Sequence, residues 1–168
     1  VTLTLGMLTS SLEAVSLRMW AMLIDMNVTD FPNSISVDNR LGERTYYARL
    51  AYTYISENTA PDTIIQNNPI GQFDRPSGLY ATRQMVISDR TIYGVPIPVY
   101  AKFSHDIGSI FRRKAATWND IDVKCSQYMI DILVFKDTDR VWESLPDLKT
   151  IRPPLYENPY YALYSCEK

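Results

Sequence analysis

Apolar and polar positions alternate at the start of the chain, Val1-Thr2-Leu3-Thr4-Leu5, the period of a half-buried strand. The period then changes. Leu12, Val15, Met19, Met22 or Leu23, and Met26 recur at helical spacing behind Ser10-Ser11-Leu12-Glu13. That tetrapeptide is a capping box, with the Ser10 hydroxyl and the Glu13 carboxylate each satisfying an orphan N–H. The pattern predicts a helix over residues 11–25. A strand over residues 17–24 is the competing reading, which a jelly roll would need. Residues 27–42, rich in Asn, Asp, Pro and Ser, read as loop. Residues 44–55 (RTYYARLAYTYI) are Tyr-rich and strand-like, with apolar residues on both faces as in a central strand. Residues 56–78 read as a long loop interrupted by Pro61, Pro69 and Pro76; loops of that length in a compact domain are functional or disordered.

Two strands are expected over residues 79–93 and 95–103, joined at Gly94, with Pro96 and Pro98 pushing the second toward a sheet edge. Residues 107–115 fit no single pattern. Residues 122–135 read as a strand pair or one long strand, closed by the acidic turn Asp137-Thr138-Asp139. Trp142 follows and is expected to pin its segment to the sheet, sharing a face with Leu145 if a short helix begins near Arg140. Residues 151–158 are a Pro-rich turn and residues 160–166 a final strand. The order predicts an α+β fold. It has a mostly antiparallel sheet packed with one or two helices, in a single compact domain over residues 1–168 with a long exposed loop.

Composition adds to this picture where it is unusual. Twelve Tyr, five Phe and three Trp among 168 residues favour sheets and contact surfaces over a helical bundle. No apolar run approaches the ~20 residues of a membrane span, and no signal peptide is visible. Because the first residue is Val, the chain reads as the ordered core of a longer protein. Cys125 and Cys166 form no CxxC pair, so a disulfide framework is not expected and a reducing compartment fits. Asn27-Val28-Thr29 matches a glycosylation sequon and reads as chance in the absence of a secretory signal. The net charge of -2 excludes a generally basic nucleic-acid binder. The charge is uneven, however, because all Lys residues lie at position 102 or later.

Catalytic chemistry finds little support. His105, the single His, has Asp106 beside it and Ser104 and Ser109 nearby. A Ser-His-Asp site also needs a nucleophile elbow, which the chain lacks, so His105 reads as a hydrogen-bonded residue at a strand end. One His and two separated Cys do not compose a usual zinc set. Single, scattered Gly residues make no phosphate loop. The pairs Asp120/Asp122 and Asp137/Asp139 sit at turn positions that favour Asp for backbone reasons. The reading is therefore a protein without enzymatic activity, metal or cofactor.

Three features suit binding. Ile64 and Ile65, with Pro69 nearby, place two apolar residues in the polar, Pro-bounded loop; if exposed, each contributes about 1.5–3 kcal/mol when buried by a partner. Folding back into the domain's own core is the equal alternative. Arg112, Arg113 and Lys114 offer roughly 1 kcal/mol each to an anionic membrane surface, multiplied in an array by avidity; a solvated charged turn is the plainer reading. Pro153, Pro154 and Tyr156 match PPxY, the pattern docked by WW domains through a polyproline II helix, and also suit a structural turn.

In order along the chain, these segments resemble the folded core of rhabdovirus matrix proteins. They are residues 1–7, 11–25 and 49–56, the loop 59–71, Phe111-Arg112-Arg113, residues 128–137 followed by Trp142, and the closing YALYSCEK. The resemblance implies a viral structural protein that self-associates and bridges the helical nucleocapsid and an anionic membrane. It would support budding from the host cytoplasm and inner membrane face, and lie beneath the virion envelope. Ile64 and Ile65 would insert into a neighbouring subunit. The family's PPxY lies in a basic N-terminal tail, whereas here PPLY lies near the C-terminus. A jelly-roll capsid protein of a small virus is the rival reading.

Overall fold

The computed structural model describes residues 39–70, 81, 83–87 and 97–167. The chain divides into two units, residues 1–42 and 43–168, and the sheet and core described belong to the second. The strand expected over residues 1–7, the helix over residues 11–25 and the sequon at Asn27 lie outside the described residues.

The elements run in the order α1 (Asn39–Asn58), β1 (Ile64–Gln66), β2 (Gln84–Met85), α2 (Ile97–Arg112), α3 (Trp118–Tyr128) and β3 (Ile132–Lys136). A 3-10 helix (Arg140–Ser144), α4 (Leu145–Ile151), β4 (Tyr156–Glu157) and β5 (Tyr161–Ser165) complete them. The fold is α+β, and its five-stranded sheet is open, in the order β2-β1-β3-β5-β4. It is more mixed than the pattern implied. β1 runs parallel to both β2 and β3, while β3–β5 and β5–β4 are antiparallel.

β3 and β5 alternate between two cores, as the strand period requires. Leu133, Phe135, Ala162 and Tyr164 face a core built with Ile107, Ile110 and Phe111 of α2, Trp118, Ile121 and Cys125 of α3, and Leu148 of α4. Ile132, Val134, Tyr161 and Leu163 face the other core, built with Ala48, Ala51, Tyr52 and Ile55 of α1. Helices thus cover both faces, the arrangement parallel strands demand because both sides of them are buried.

Several helices replace expected strands and loops. Residues 39–58 are helical where a loop and a Tyr-rich strand were read. Ala48, Ala51, Tyr52 and Ile55 fall at i, i+3, i+4 and i+7 and are all fully buried. That helical stripe outweighs the β-propensity of Tyr46, Tyr47, Tyr52 and Tyr54. Residues 97–112 are helical because Pro98 sits in the first turn, where its missing N–H costs nothing, and Ile107, Ile110 and Phe111 supply the buried stripe. α3 occupies the first part of the expected long strand. Thr117 caps it, its Oγ1 accepting from the Asp120 N–H at 3.2 Å. Met129, in the left-handed region at φ 55°, ends it. Helices at 97–112 and 118–128 and an open sheet overturn the jelly-roll reading.

The long loop is also resolved differently. Its Ile64-Ile65 pair is part of β1, hydrogen-bonded between two strands, and Ile65 is 1% exposed. The Asp131 carboxylate accepts from the Ile64 N–H at 2.7 Å, and the Asp131 N–H donates to the Ile64 carbonyl at 2.8 Å. Pro69 is buried as well. The pair serves the protein's own core, so it is not an exposed tip for insertion into a neighbour. Ile70 follows against α2, where a Cβ at Gly108 would stand 2.8 Å from its Cδ1, the movable end of a half-exposed side chain.

Candidate functional site

β1 has β2 on one side and β3 on the other, so the direction of winding reverses at β1. In open sheets with parallel strands such a reversal leaves a crevice outside the carboxyl ends of the strands. Here β1 and β3 pair through Ile65 with Ile132 and Gln66 with Leu133. Their carboxyl ends run out into Asn67-Asn68 and Asp137-Thr138-Asp139.

Side chains tie the two ends together. Asn68 Nδ2 donates to Asp139 Oδ1 at 2.7 Å. Asp139 Oδ2 accepts from the Lys136 N–H at 2.9 Å, and the Asp139 N–H donates to the Lys136 carbonyl at 2.9 Å, closing the acidic turn. Asn67, itself buried, places its Nδ2 3.4 Å from the Tyr52 hydroxyl. Gln66 extends the sheet with its side chain, donating from Nε2 to the Ile87 carbonyl at 2.9 Å and accepting from the Ile87 N–H at 3.2 Å.

Arg44 of α1 forms an ion pair with Asp137 and lies over the Tyr160 ring, 5.0 Å from its centroid. Burial pushes the Asp137 carboxyl above its ordinary range, and the Arg44 charge opposes that shift without cancelling it. Asp137 Oδ1 is buried without a hydrogen-bond partner. Arg44 and Lys136 balance Asp137 and Asp139 in charge. The two strand ends therefore carry amide and carboxylate groups of balanced charge, several of them buried and bonded to one another.

The groups singled out from sequence do not converge. His105 lies within α2, not at a strand end; its side chain is 78% exposed, and Nδ1 is 3.9 Å from Asp106 Oδ1. Ser104 is buried, and Ser109 donates to the Asp106 carbonyl at 2.6 Å. Asp106 instead accepts from the Tyr128 hydroxyl at 2.8 Å, which holds its carboxyl below the usual range. Burial, reinforced by Asp106, pushes the Tyr128 hydroxyl up to about 12.

Arg112, Arg113 and Lys114 are exposed at the end of α2 and the turn beyond it. Arg112 bonds carbonyls of its own helix, at Gly108 and His105. Arg113 is 3.6 Å from Asp120, and Lys114 is 3.0 Å from Glu143. Arg113 also lines a shallow pocket of about 130 Å³ between α2 and α3, together with Asp120 and Lys124 of α3. Pro153 is exposed, but Tyr156 lies in edge strand β4 with its ring 5.1 Å from Tyr54. The Leu155 N–H donates to the Leu163 carbonyl at 2.8 Å. PPLY is therefore folded into the sheet and does not offer a free polyproline helix. Trp142 is half-buried against the first core, on the 3-10 helix.

Two features were missed. Cys125 and Cys166 are joined in a disulfide between α3 and the residue following β5, which corrects the expectation of unpaired thiols. Arg152 and Asp122 form a paired clamp beside Trp118. Cysteines 41 residues apart, with no local motif, gave no signal in the chain. Among the described residues no group of three or more His, Cys, Asp or Glu is placed to hold a metal, and no helix is long and apolar enough to cross a membrane. No family model, curated protein or solved structure matches the chain.

Proposed function

We propose that residues 43–168 form a non-catalytic binding module whose recognition surface is the crevice at the carboxyl ends of β1 and β3. The observation that carries this reading is the reversal of strand order at β1, with Asn68 and Asp139 bridging the two strand ends at 2.7 Å. The titratable groups support the non-catalytic part. Asp106, Asp122, Asp131 and Asp139 each bond another element or a turn, and His105 stands exposed beside Asp106 with no nucleophile bonded to it among the described residues. The balanced charge favours a neutral ligand that both donates and accepts hydrogen bonds.

An NMR titration with acetamide and glycerol tests the reading. Saturable shifts are expected at the amides of Asn68, Thr138 and Asp139, and loss of those shifts in Asn68→Leu. Shifts scattered over the surface would remove the crevice as the site. Turnover in a hydrolase screen that is lost in Asp137→Asn would remove the non-catalytic reading.

A viral matrix role is the second reading, and the exposed corner at Arg112, Arg113 and Lys114 favours it. In that role the partners are further copies of the chain, the nucleocapsid and an anionic membrane. The Ile64-Ile65 loop no longer supplies its self-association contact. Co-sedimentation with phosphatidylserine liposomes should then fall with salt, since exposed charge is screened over about 8 Å at physiological ionic strength. Equal sedimentation of wild type and the triple alanine variant at low salt would end the membrane half of that reading.

A further inference from the structure

Cys125 and Cys166 are the whole cysteine content of the chain, and one bond consumes both. Their Cα atoms are 5.9 Å apart, within the span that a disulfide bridges without moving the backbone. The surrounding contacts hold the two residues together independently of that bond. Asp122 and Cys125 stand three residues apart on α3 and so share a face. Asp122 Oδ1 accepts from the Glu167 N–H at 3.1 Å, and Arg152 Nη1 donates to the Ser165 carbonyl at 3.0 Å. The Cys166 N–H donates to the Asp131 carbonyl at 2.9 Å. Residues on both sides of Cys166 are thus fastened against α3 and β3. The two sulfurs have no third and fourth ligand around them among the described residues, so a metal site does not explain the pair.

Structural disulfides form and persist in oxidising compartments and are rare where glutathione keeps thiols reduced. We infer that residues 43–168 are a client of a disulfide-forming thiol oxidoreductase and reside on the oxidising side of a membrane or outside the cell. This reverses the reducing compartment expected from the spacing of the cysteines. It also weighs against a cytoplasmic matrix role, and it stands apart from the crevice reading.

The two sulfurs have different access, which assigns their order. Cys125 is fully buried, while Cys166 is half-buried at the end of β5. The Cys166 thiolate attacks the oxidoreductase disulfide, forming a mixed disulfide and releasing one enzyme thiol. The Cys125 thiolate then attacks the Cys166 sulfur, forming Cys125–Cys166 and releasing the second enzyme thiol. The chain loses two protons and two electrons, and the oxidoreductase disulfide takes them up as a dithiol.

The full-length protein in its own cells provides the test. Cells are quenched in acid, free thiols are alkylated with N-ethylmaleimide, and peptides are mapped by mass. The peptides carrying Cys125 and Cys166 should be joined and unalkylated, and separate only after reductant. Recovery of both as alkylated peptides would overturn the inference. Cys125→Ala should accumulate as a mixed disulfide with the oxidoreductase through Cys166, well above the level seen for Cys166→Ala. Equal trapping by the two variants would overturn the order of attack, and no trapping by Cys125→Ala would overturn the client assignment.

Discussion

Arg152 grips Asp122 with two parallel hydrogen bonds, Nη1 to Oδ1 at 2.9 Å and Nη2 to Oδ2 at 2.7 Å. Its guanidinium carbon lies 4.1 Å over the Trp118 ring, and the Trp118 indole N–H donates to the Leu148 carbonyl at 2.9 Å. The arrangement joins α3, the end of α4 and the segment after β5 at one point. Only a planar, bidentate cation satisfies the carboxylate and the ring together.

Arg152→Ala leaves Asp122 partly buried without its cation. The expected loss is about 3 kcal/mol, the lower end for breaking a buried pair, because Asp122 keeps some solvent access. Arg152→Lys keeps the charge, loses the fork and the stack, and should fall between the two. Urea denaturation measures all three proteins. A wild-type midpoint in Arg152→Ala would show that the clamp contributes nothing to stability.

Reduction of Cys125–Cys166 should cost roughly 4 kcal/mol on the chain-entropy model for a loop of this length, the two residues being 41 apart. Paired denaturation curves with and without dithiothreitol read this directly. Cys125→Ala should fall further than reduction does, since it also leaves a cavity at a fully buried position.

The Tyr164 hydroxyl is buried and has no hydrogen-bond partner, and burial pushes it up to about 12. Tyr164→Phe removes an unpaired polar group and keeps the ring against Trp118 and Phe135. It should therefore be neutral or stabilising by up to ~1 kcal/mol at pH 7. A phenol whose folded value lies above its unfolded value of 10 binds more protons when folded, so stability falls as pH rises from about 10 to about 12. Tyr164→Phe should flatten that alkaline slope, as measured by thermal melting at stepped pH. An unchanged slope would remove Tyr164 as a contributor.

Asp106 and Asp137 shift in opposite directions and should be separable. Asp106 is lowered, so its contribution is present above the ordinary carboxylate value and is lost as pH falls through its folded value. Asp137 is raised, so its contribution is present at low pH and is lost as pH rises through its folded value. The stability of Asp106→Asn relative to wild type should therefore worsen between acid and neutral pH, while that of Asp137→Asn should improve. Parallel denaturation of the variants at pH 3 and pH 7 decides it, and slopes of the same sign would contradict the assignment.

In the C-terminal third, the end of the long strand, the acidic turn and the closing strand were legible in the chain, while the helices before them were not. Residues 160–166 read as a strand, and Tyr161–Ser165 is one. The acidic turn closes on Asp139, and a 3-10 helix, weighed only as a condition for Trp142 facing Leu145, begins at Arg140. Local patterns suffice for such elements because their residues carry their own period and turn chemistry. α1 misled because Tyr46, Tyr47, Tyr52 and Tyr54 gave the segment a strand-like composition that masked the Ala48, Ala51, Tyr52 and Ile55 stripe. β1 and the crevice were illegible for a different reason. Three residues, Ile64–Gln66, have no period of their own, and only their pairing with the distant Ile132 and Leu133 makes them a strand. The disulfide and the Arg152 clamp are likewise long-range, so spacing along the chain carried no trace of them.

The position of β1 also decides the outcome of changing Ile64 and Ile65. Read as an exposed tip, the pair predicts that Ile64→Asp with Ile65→Asp weakens association and spares the fold. In the sheet, Ile65 is packed in the α1-side core with Tyr52 and Ile55. An aspartate there must either lose its charge or carry it into an apolar interior, and the lost isoleucine leaves a cavity besides. Replacing a buried Ile by a small residue costs about 2–5 kcal/mol before any charge is counted, against a total of about 5–15 kcal/mol for a typical domain. The double variant should therefore unfold or melt far below wild type, and Ile65→Asp alone should account for most of the loss. Circular dichroism melting, run beside sedimentation over a concentration series, separates the two cases. A double variant with a wild-type melt and weakened association would return the pair to an interface.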